Sequence, residues 1–196
     1  MSTLTISPRL QARLSVFPQG LRKHVQRVQT FASELAVAHG VDPVQAELTA
    51  AAHDVDYHLL PRRRLEEAQR LGLPVNAVES FKPILLHGPV GAAWLRQEGT
   101  ITDPEVLEGV RWHTTAHPGL TPVGRVVFLA DKLDPRKLAR YPFQNEVGDL
   151  ARHDLDCAML EFLTQDLVRL LRSGNLIHPA SVAARNDLVR QLEGRR

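Results

Sequence analysis

Apolar residues recur three and four positions apart along most of this chain, and nowhere alternate with polar ones over a useful length. Leu21, Val25, Val28, Phe31, Leu35 and Val37-Ala38 form one stripe of an amphipathic helix over 21–39. Gly40 stops it, and Asp42-Pro43 reads as the cap and first-turn proline of the next helix, 44–53, which is rich in alanine and buried. A shorter helix is expected within 4–16, with Leu4, Ile6, Leu10 and Leu14 apolar, Pro8 in the first turn and Pro18-Gln19-Gly20 breaking it. The run 62–70 reads as a charged stretch, and 76–81 is short and ambiguous. Helices follow over 90–97 and from Asp103-Pro104 up to His113, then a loop over 114–122. The most apolar helix is 123–133; a loop over 141–147 leads to a long helix, 150–171, and a last one spans 181–192. The expected class is all-α, one domain over residues 1–196.

Composition changes this picture little. A chain of 196 residues, 43% hydrophobic and 23% charged, suits one soluble domain with a sizeable core. No apolar run approaches the roughly 20 residues that span a bilayer. Residues 1–17 lack the continuous apolar core of a signal peptide, so a cytoplasmic location without membrane partners is expected. The single Cys157 excludes an internal disulfide or a cysteine-based zinc site and fits a reducing compartment. A net charge of +2 is no nucleic-acid footprint, and Arg62-Arg63-Arg64 and Arg195-Arg196 read as solvated. Nine histidines are more telling, since neutral imidazole is the commonest metal ligand.

Thr49-Ala50-Ala51-Ala52-His53-Asp54 places an imidazole and a carboxylate side by side at a helix end. There the backbone can turn and let both face one point, whereas mid-helix neighbours diverge by about 100°. Asp131 follows Val126-Val127-Phe128-Leu129-Ala130 and is expected to be buried. A buried carboxylate must be paired or bind a cation; Lys132 or an arginine is the plain alternative. His24, His87 and His113 each have a plain reading as well: a surface histidine, a capping imidazole, and a cation favoured at a helix C-terminus. His39, His117 and His153 read as bland, Trp94 and Trp112 as core, and Cys157 as a buried, inert thiol.

The order His24, His53-Asp54, His87, His113, Asp131 over helices resembles the HD-domain metal-dependent phosphohydrolases. The resemblance is closest to the YqeK-like family. It is carried by Ala52-His53-Asp54, Leu86-His87-Gly88-Pro89-Val90-Gly91-Ala92, His113-Thr114-Thr115 and Phe128-Leu129-Ala130-Asp131, with Asp154-Leu155-Asp156 and Ala184-Arg185-Asn186 near the end. It covers roughly residues 20–190. It implies a single HD-type helical domain with its metal-binding core at about 20–140 and its nucleotide pocket completed by the helices over 150–192. It also implies symmetrical cleavage of diadenosine tetraphosphate, a dinucleoside polyphosphate, to two ADP by a hydroxide carried on the metal.

By the same resemblance His24, His53, Asp54 and Asp131 are the metal ligands, and Asp54, His87, His113 and Asp131 the catalytic set. His87, His113 and Thr114 line the phosphate site or hold a second metal, Arg136 or Lys137 steadies the leaving phosphate, and Asn175, Leu176, Ile177, His178 and Pro179 lie against the nucleoside. Iron is the usual metal; the mixed imidazole and carboxylate donors suit Fe, Mn, Co or Zn better than Mg alone, as one ion or two. A homodimer is left open. The chain departs from the family where Val55-Asp56-Tyr57 replaces a segment ending in lysine, which removes a cation from the phosphate side and adds a carboxylate. It departs again at Lys132-Leu133-Asp134-Pro135-Arg136-Lys137, where a tyrosine and a glutamate are usual, and at Leu21 in place of an arginine. Two other readings stand beside this one: a phosphatase of nucleoside monophosphates and, from the altered Asp56-Tyr57 segment, a non-catalytic nucleotide-binding module.

Overall fold

The computed structural model describes residues 6–195, and among these no residue lies in a strand. Eleven α-helices follow one another: α1 Pro8–Ser15, α2 Gln19–Ala38, α3 Pro43–Ala52, α4 Pro61–Arg70, α5 Ala77–Phe81, α6 His87–Gln97, α7 Pro104–Trp112, α8 Pro122–Lys132, α9 Gln144–Ala151, α10 Leu155–Arg172 and α11 Pro179–Glu193. Single 3₁₀ turns lie at Pro83–Leu86 and Pro135–Lys137. The expected first helix is here as α1; Leu4, assigned to its apolar side, lies outside the described residues.

Helix starts follow the local chemistry. The Asp42 carboxylate accepts from the Val44 amide, and Asp103 from those of Glu105 and Val106. A first-turn proline follows each cap, where its missing N–H is no loss. The same chemistry corrects the C-terminal half. Asp154 caps the Asp156 and Cys157 amides, so the long helix begins at Leu155 rather than at 150. The stretch read as a loop over 141–147 runs instead into a separate helix, α9, and His153 sits exposed in the turn between α9 and α10. Asn76 forms a capping box with Glu79, which resolves the ambiguous 76–81 segment as α5. Helix α6 starts at His87, three residues before the apolar run that marks it in the sequence.

The core is built around α8. One cluster joins Val28 and Leu35 of α2, Ala50 of α3, Val126 to Ala130 of α8 and Phe162 of α10, with the Phe128 and Phe162 rings edge to face at 5.4 Å. A second cluster gathers Leu10, Ala52, Val55, Leu95, Val106 and Val110 beneath α3, α6 and α7. Ala46, Ala50, Ala51 and Ala52 are wholly buried, and their small side chains let α3 lie close against α2, α7 and α8. His53 therefore emerges at the centre of the molecule.

Two features of the α3 and α4 region differ from expectation. The charged run 62–70 is the helix α4, and Arg64 within it is not solvated but 1% exposed, its Nε donating to the Asp56 carboxylate at 2.7 Å. Asp56 is fully buried in that contact. The carboxylate expected on the phosphate side is thus neutralised inside the protein.

Gly88 marks the closest helix approach near the site. A Cβ there would stand 2.5 Å from the Arg111 carbonyl oxygen and 2.8 Å from that of Val110, and backbone cannot move aside as a flexible side chain can. Gly88→Ala is expected to destabilise the protein by about 1–3 kcal/mol, the usual range for overpacking, and to push His87 away from His113. Thermal melting and metal content read the two effects separately; an unchanged melting temperature would rule out the close approach.

Candidate metal centre

Three histidines of the predicted set, His53, His87 and His113, sit where a helix stops or starts, each with its ring turned by a local backbone bond. His53 follows the last turn of α3 and its Nδ1 lies 2.7 Å from the Ala50 carbonyl. His113 follows α7 with Nδ1 2.7 Å from the Val110 carbonyl, and His87 opens α6 with Nδ1 2.6 Å from the Ile84 carbonyl. A carbonyl only accepts, so Nδ1 carries a proton in all three rings and Nε2 holds the lone pair of the neutral form. Burial lowers His53, but the Asp54 and Asp131 carboxylates outweigh it and raise His53 above its usual value. His24, in α2, donates from Nδ1 to the Asp134 carboxylate, which also receives Nε and Nη2 of Arg27. Burial acts to raise the Asp134 carboxyl, but Arg27 and His24 outweigh it and hold it well below the usual range.

The four Nε2 atoms converge. Those of His24 and His53 are 3.3 Å apart, and those of His87 and His113 are 2.7 Å apart. With every Nδ1 protonated and the rings neutral, each pair sets lone pair against lone pair. That arrangement is repulsive until a cation lies between them, and it is the tautomer pattern of imidazoles held as ligands.

The carboxylates complete two triads. His24, His53 and Asp131 form one, and Asp54, His87 and His113 the other; within each, the ligand atoms lie within 4.8 Å of one another. Asp54 stands between them: its Oδ2 is 3.3 Å from His53 Nε2, and its Oδ1 is 3.4 Å from His87 Nε2. Asp131 Oδ1 is 3.1 Å from His24 Nε2. The plain reading of Asp131 also holds in part, because Lys132 and Lys137 both donate to its carboxylate. Burial opposes ionisation of Asp54, yet His53, His87 and His113 hold its carboxyl far below the ordinary range. Burial likewise opposes Asp131, and Lys132 and Lys137 overcome it. Burial and the neighbouring imidazoles push His113 well below its usual value, toward the neutral ligand form.

A cavity of about 290 Å³ opens from this cluster toward α10 and α11. Among the residues assigned to substrate, His87, His113, Thr114, Lys137, Leu176 and His178 line it. The Thr114 hydroxyl lies 3.0 Å from Nε2 of both His87 and His113. Arg136 does not line this cavity; it faces a separate cleft on the α1–α2 side. Asn175, Ile177 and Pro179 are not in its lining either: Asn175 is exposed and accepts from Lys82, and Pro179 opens α11. His178 is held by its own bonds, Nδ1 accepting from the Ala180 amide at 3.1 Å and Nε2 lying 3.2 Å from Glu79.

Sequence reasoning missed Asp134, whose bond orients His24, and the cavity cations Lys82, Arg140 and Arg169. Asp134 also accepts from the Arg136 amide, so in sequence it reads as an ordinary turn residue. The three cations come from separate elements, and no spacing unites them.

A family model described as HD domain matches residues 21–136. Proteins named symmetrical bis(5'-nucleosyl)-tetraphosphatase from Bacillus subtilis and Halalkalibacterium halodurans are each 30% identical to this chain over 167 residues, covering 85% of it and 88% of the relative. The protein of that name from Staphylococcus aureus is 27% identical over 173 residues, covering 86% of this chain and 87% of the relative. The crystal structure of a predicted HD superfamily hydrolase from Clostridium acetobutylicum superimposes with a TM-score of 0.87 at 23% identity, over 93% of this chain and 96% of that one. That likeness bears on the fold alone.

Proposed function

Because the chain belongs to the HD-domain family, we propose that it is a metal-dependent phosphohydrolase that splits diadenosine tetraphosphate symmetrically into two ADP. The relatives' names support the substrate. The observation that carries the chemistry is the set of four imidazoles with Nδ1 bonded outward and Nε2 turned inward around Asp54. His24, His53 and Asp131 would hold one cation and His87 with His113 a second, Asp54 serving both. Imidazole and carboxylate donors suit Fe, Mn, Co or Zn, with Fe favoured over Mg. A bound cation of this kind acidifies water at neutral pH and offsets charge growing on phosphoryl oxygens.

The protein's own groups bind and orient the polyphosphate. Lys137, 28% exposed, and the Thr114 hydroxyl face the scissile region, while Lys82, Arg140 and Arg169 draw the remaining phosphates into the cavity. Ile84, Leu170 and Leu176 form an apolar wall suited to a nucleoside. The central P–O–P bond breaks; water's oxygen stays on one ADP and the bridging oxygen leaves on the other.

The non-catalytic reading drew on Asp56, and its pairing with Arg64 removes that motive. Metal analysis of anaerobically purified protein, with chromatography of the products, tests the proposal. Two ADP support it; free phosphate from a nucleoside monophosphate with no cleavage of the dinucleotide would replace it with the phosphatase reading. Chelation should also lower the melting temperature, by about 5–10 °C for a site filled at a hundred times its Kd.

Among the described residues no helix is long and apolar enough to cross a membrane.

A further inference from the structure

The cluster of ligands opens on two sides. Opposite the cavity just described, a shallower cleft of about 410 Å³ runs toward the α1–α2 turn, between Leu21, Tyr57 and Arg136. Asp54 and Lys137 line both spaces, so the two meet at the carboxylate assigned to the cations and the lysine assigned to the scissile region. Tyr57 stands in the turn just after Asp54 and is 53% exposed. Arg27, on the cleft wall, is held by Asp134 in a two-pronged bond. Arg136 is exposed and, among the described residues, makes no ion pair. The cleft thus combines an apolar side at Leu21, an aromatic face and an unpaired cation beside the reaction centre.

A tetraphosphate cut at its middle carries the same nucleoside diphosphate on each side of the broken bond. Lys82, Arg140 and Arg169 in the cavity toward α10 and α11 suit the phosphates of one half, and the second opening beside Asp54 and Lys137 offers the other half a place. We propose that the α1–α2 cleft is the second nucleotide half-site: Arg136 takes the distal phosphate of that half, the Tyr57 ring stacks on its base, and the chain crosses Asp54 and Lys137 between the two spaces. This inference rests on the proposed dinucleotide hydrolysis. The cleft could otherwise serve only as a way in for water, which needs neither an exposed ring nor an unpaired arginine.

Equilibrium dialysis of ADP against the metal-loaded protein tests it, alongside kinetics on diadenosine tetraphosphate and on adenosine 5'-tetraphosphate, which has a nucleoside at one end only. The wild type is expected to hold two ADP per chain, and Tyr57→Ala and Arg136→Ala one each. In both variants the ratio of kcat/KM for the two-ended over the one-ended substrate should fall about tenfold or more, the scale of a lost base stack. Tyr57→Phe should restore it, because the ring and not the hydroxyl makes the stack. One ADP per wild-type chain, or an unchanged count and ratio in both alanine variants, overturns the half-site. Absence of dinucleotide turnover in the wild type would strike the proposed function instead, and the ADP count would still decide the half-site.

Discussion

Asp54→Ala is expected to lose metal and turnover together while the helices persist. Its two carboxylate oxygens face different imidazole pairs, Oδ2 toward His53 and Oδ1 toward His87, so one truncation removes a ligand from both triads. The side chain is 15% exposed and sits beyond the end of α3, which leaves helix packing untouched. Removing the one carboxylate between four converging Nε2 atoms also removes the charge that favours a cation among them. Elemental analysis, far-ultraviolet circular dichroism and product chromatography on the same preparation make the test. A variant that keeps its metal and still forms ADP would end the assignment of this cluster as the reaction centre. Asp54→Asn keeps the shape and discards the charge, and should fail in the same way.

Arg64→Ala should produce the largest loss of stability. The Arg64 and Asp56 side chains are 2% and 0% exposed, so the mutation strands a carboxylate with no water to replace its partner. Breaking such a pair costs about 3–5 kcal/mol, because the desolvation of the survivor is no longer offset. In a domain of this size that corresponds to a fall in melting temperature of roughly 6–20 °C. Asp56 lies two residues after Asp54, in the same turn, so loosening it should weaken metal retention as well. The double variant Asp56→Leu/Arg64→Met tests the cause. It should regain much of the stability, since apolar residues of similar volume often replace a buried pair without loss. A single variant as stable as the wild type would mean that the pair is relaxed by solvent.

The helical class and most helix starts were legible in the sequence because they rest on local rules. A 3.6-residue apolar period, a capping aspartate and a first-turn proline act within a few residues of one another, and α2, α3, α7 and α8 appear close to where those signals lie. Helices α4 and α9 were not legible. Helix α4 shows no apolar stripe, since its inward face buries Arg64 and Ala68, and a buried arginine looks solvated until its carboxylate is seen. The start of α10 was misread because Asp154-Leu155-Asp156 fits a helix interior as well as a cap.

The six residues of the candidate metal cluster could be nominated from sequence, as histidines and aspartates in an order that resembles a known family. Their division was not available there. His87 and His113, expected either to line the phosphate site or to hold a second metal, stand in space as a triad with Asp54, beside the triad of His24, His53 and Asp131. Sequence spacing carries no information on which oxygen of Asp54 faces which ring. That depends on how α3, α6, α7 and α8 cross, and the crossing depends on small contacts such as Gly88 against the Arg111 carbonyl. The direction of each imidazole likewise follows from a carbonyl three residues away or, for His24, from Asp134, 110 positions along the chain. Local rules therefore settle which groups are present and roughly where each helix begins; long-range packing, which sums contacts no short window contains, decides what those groups face.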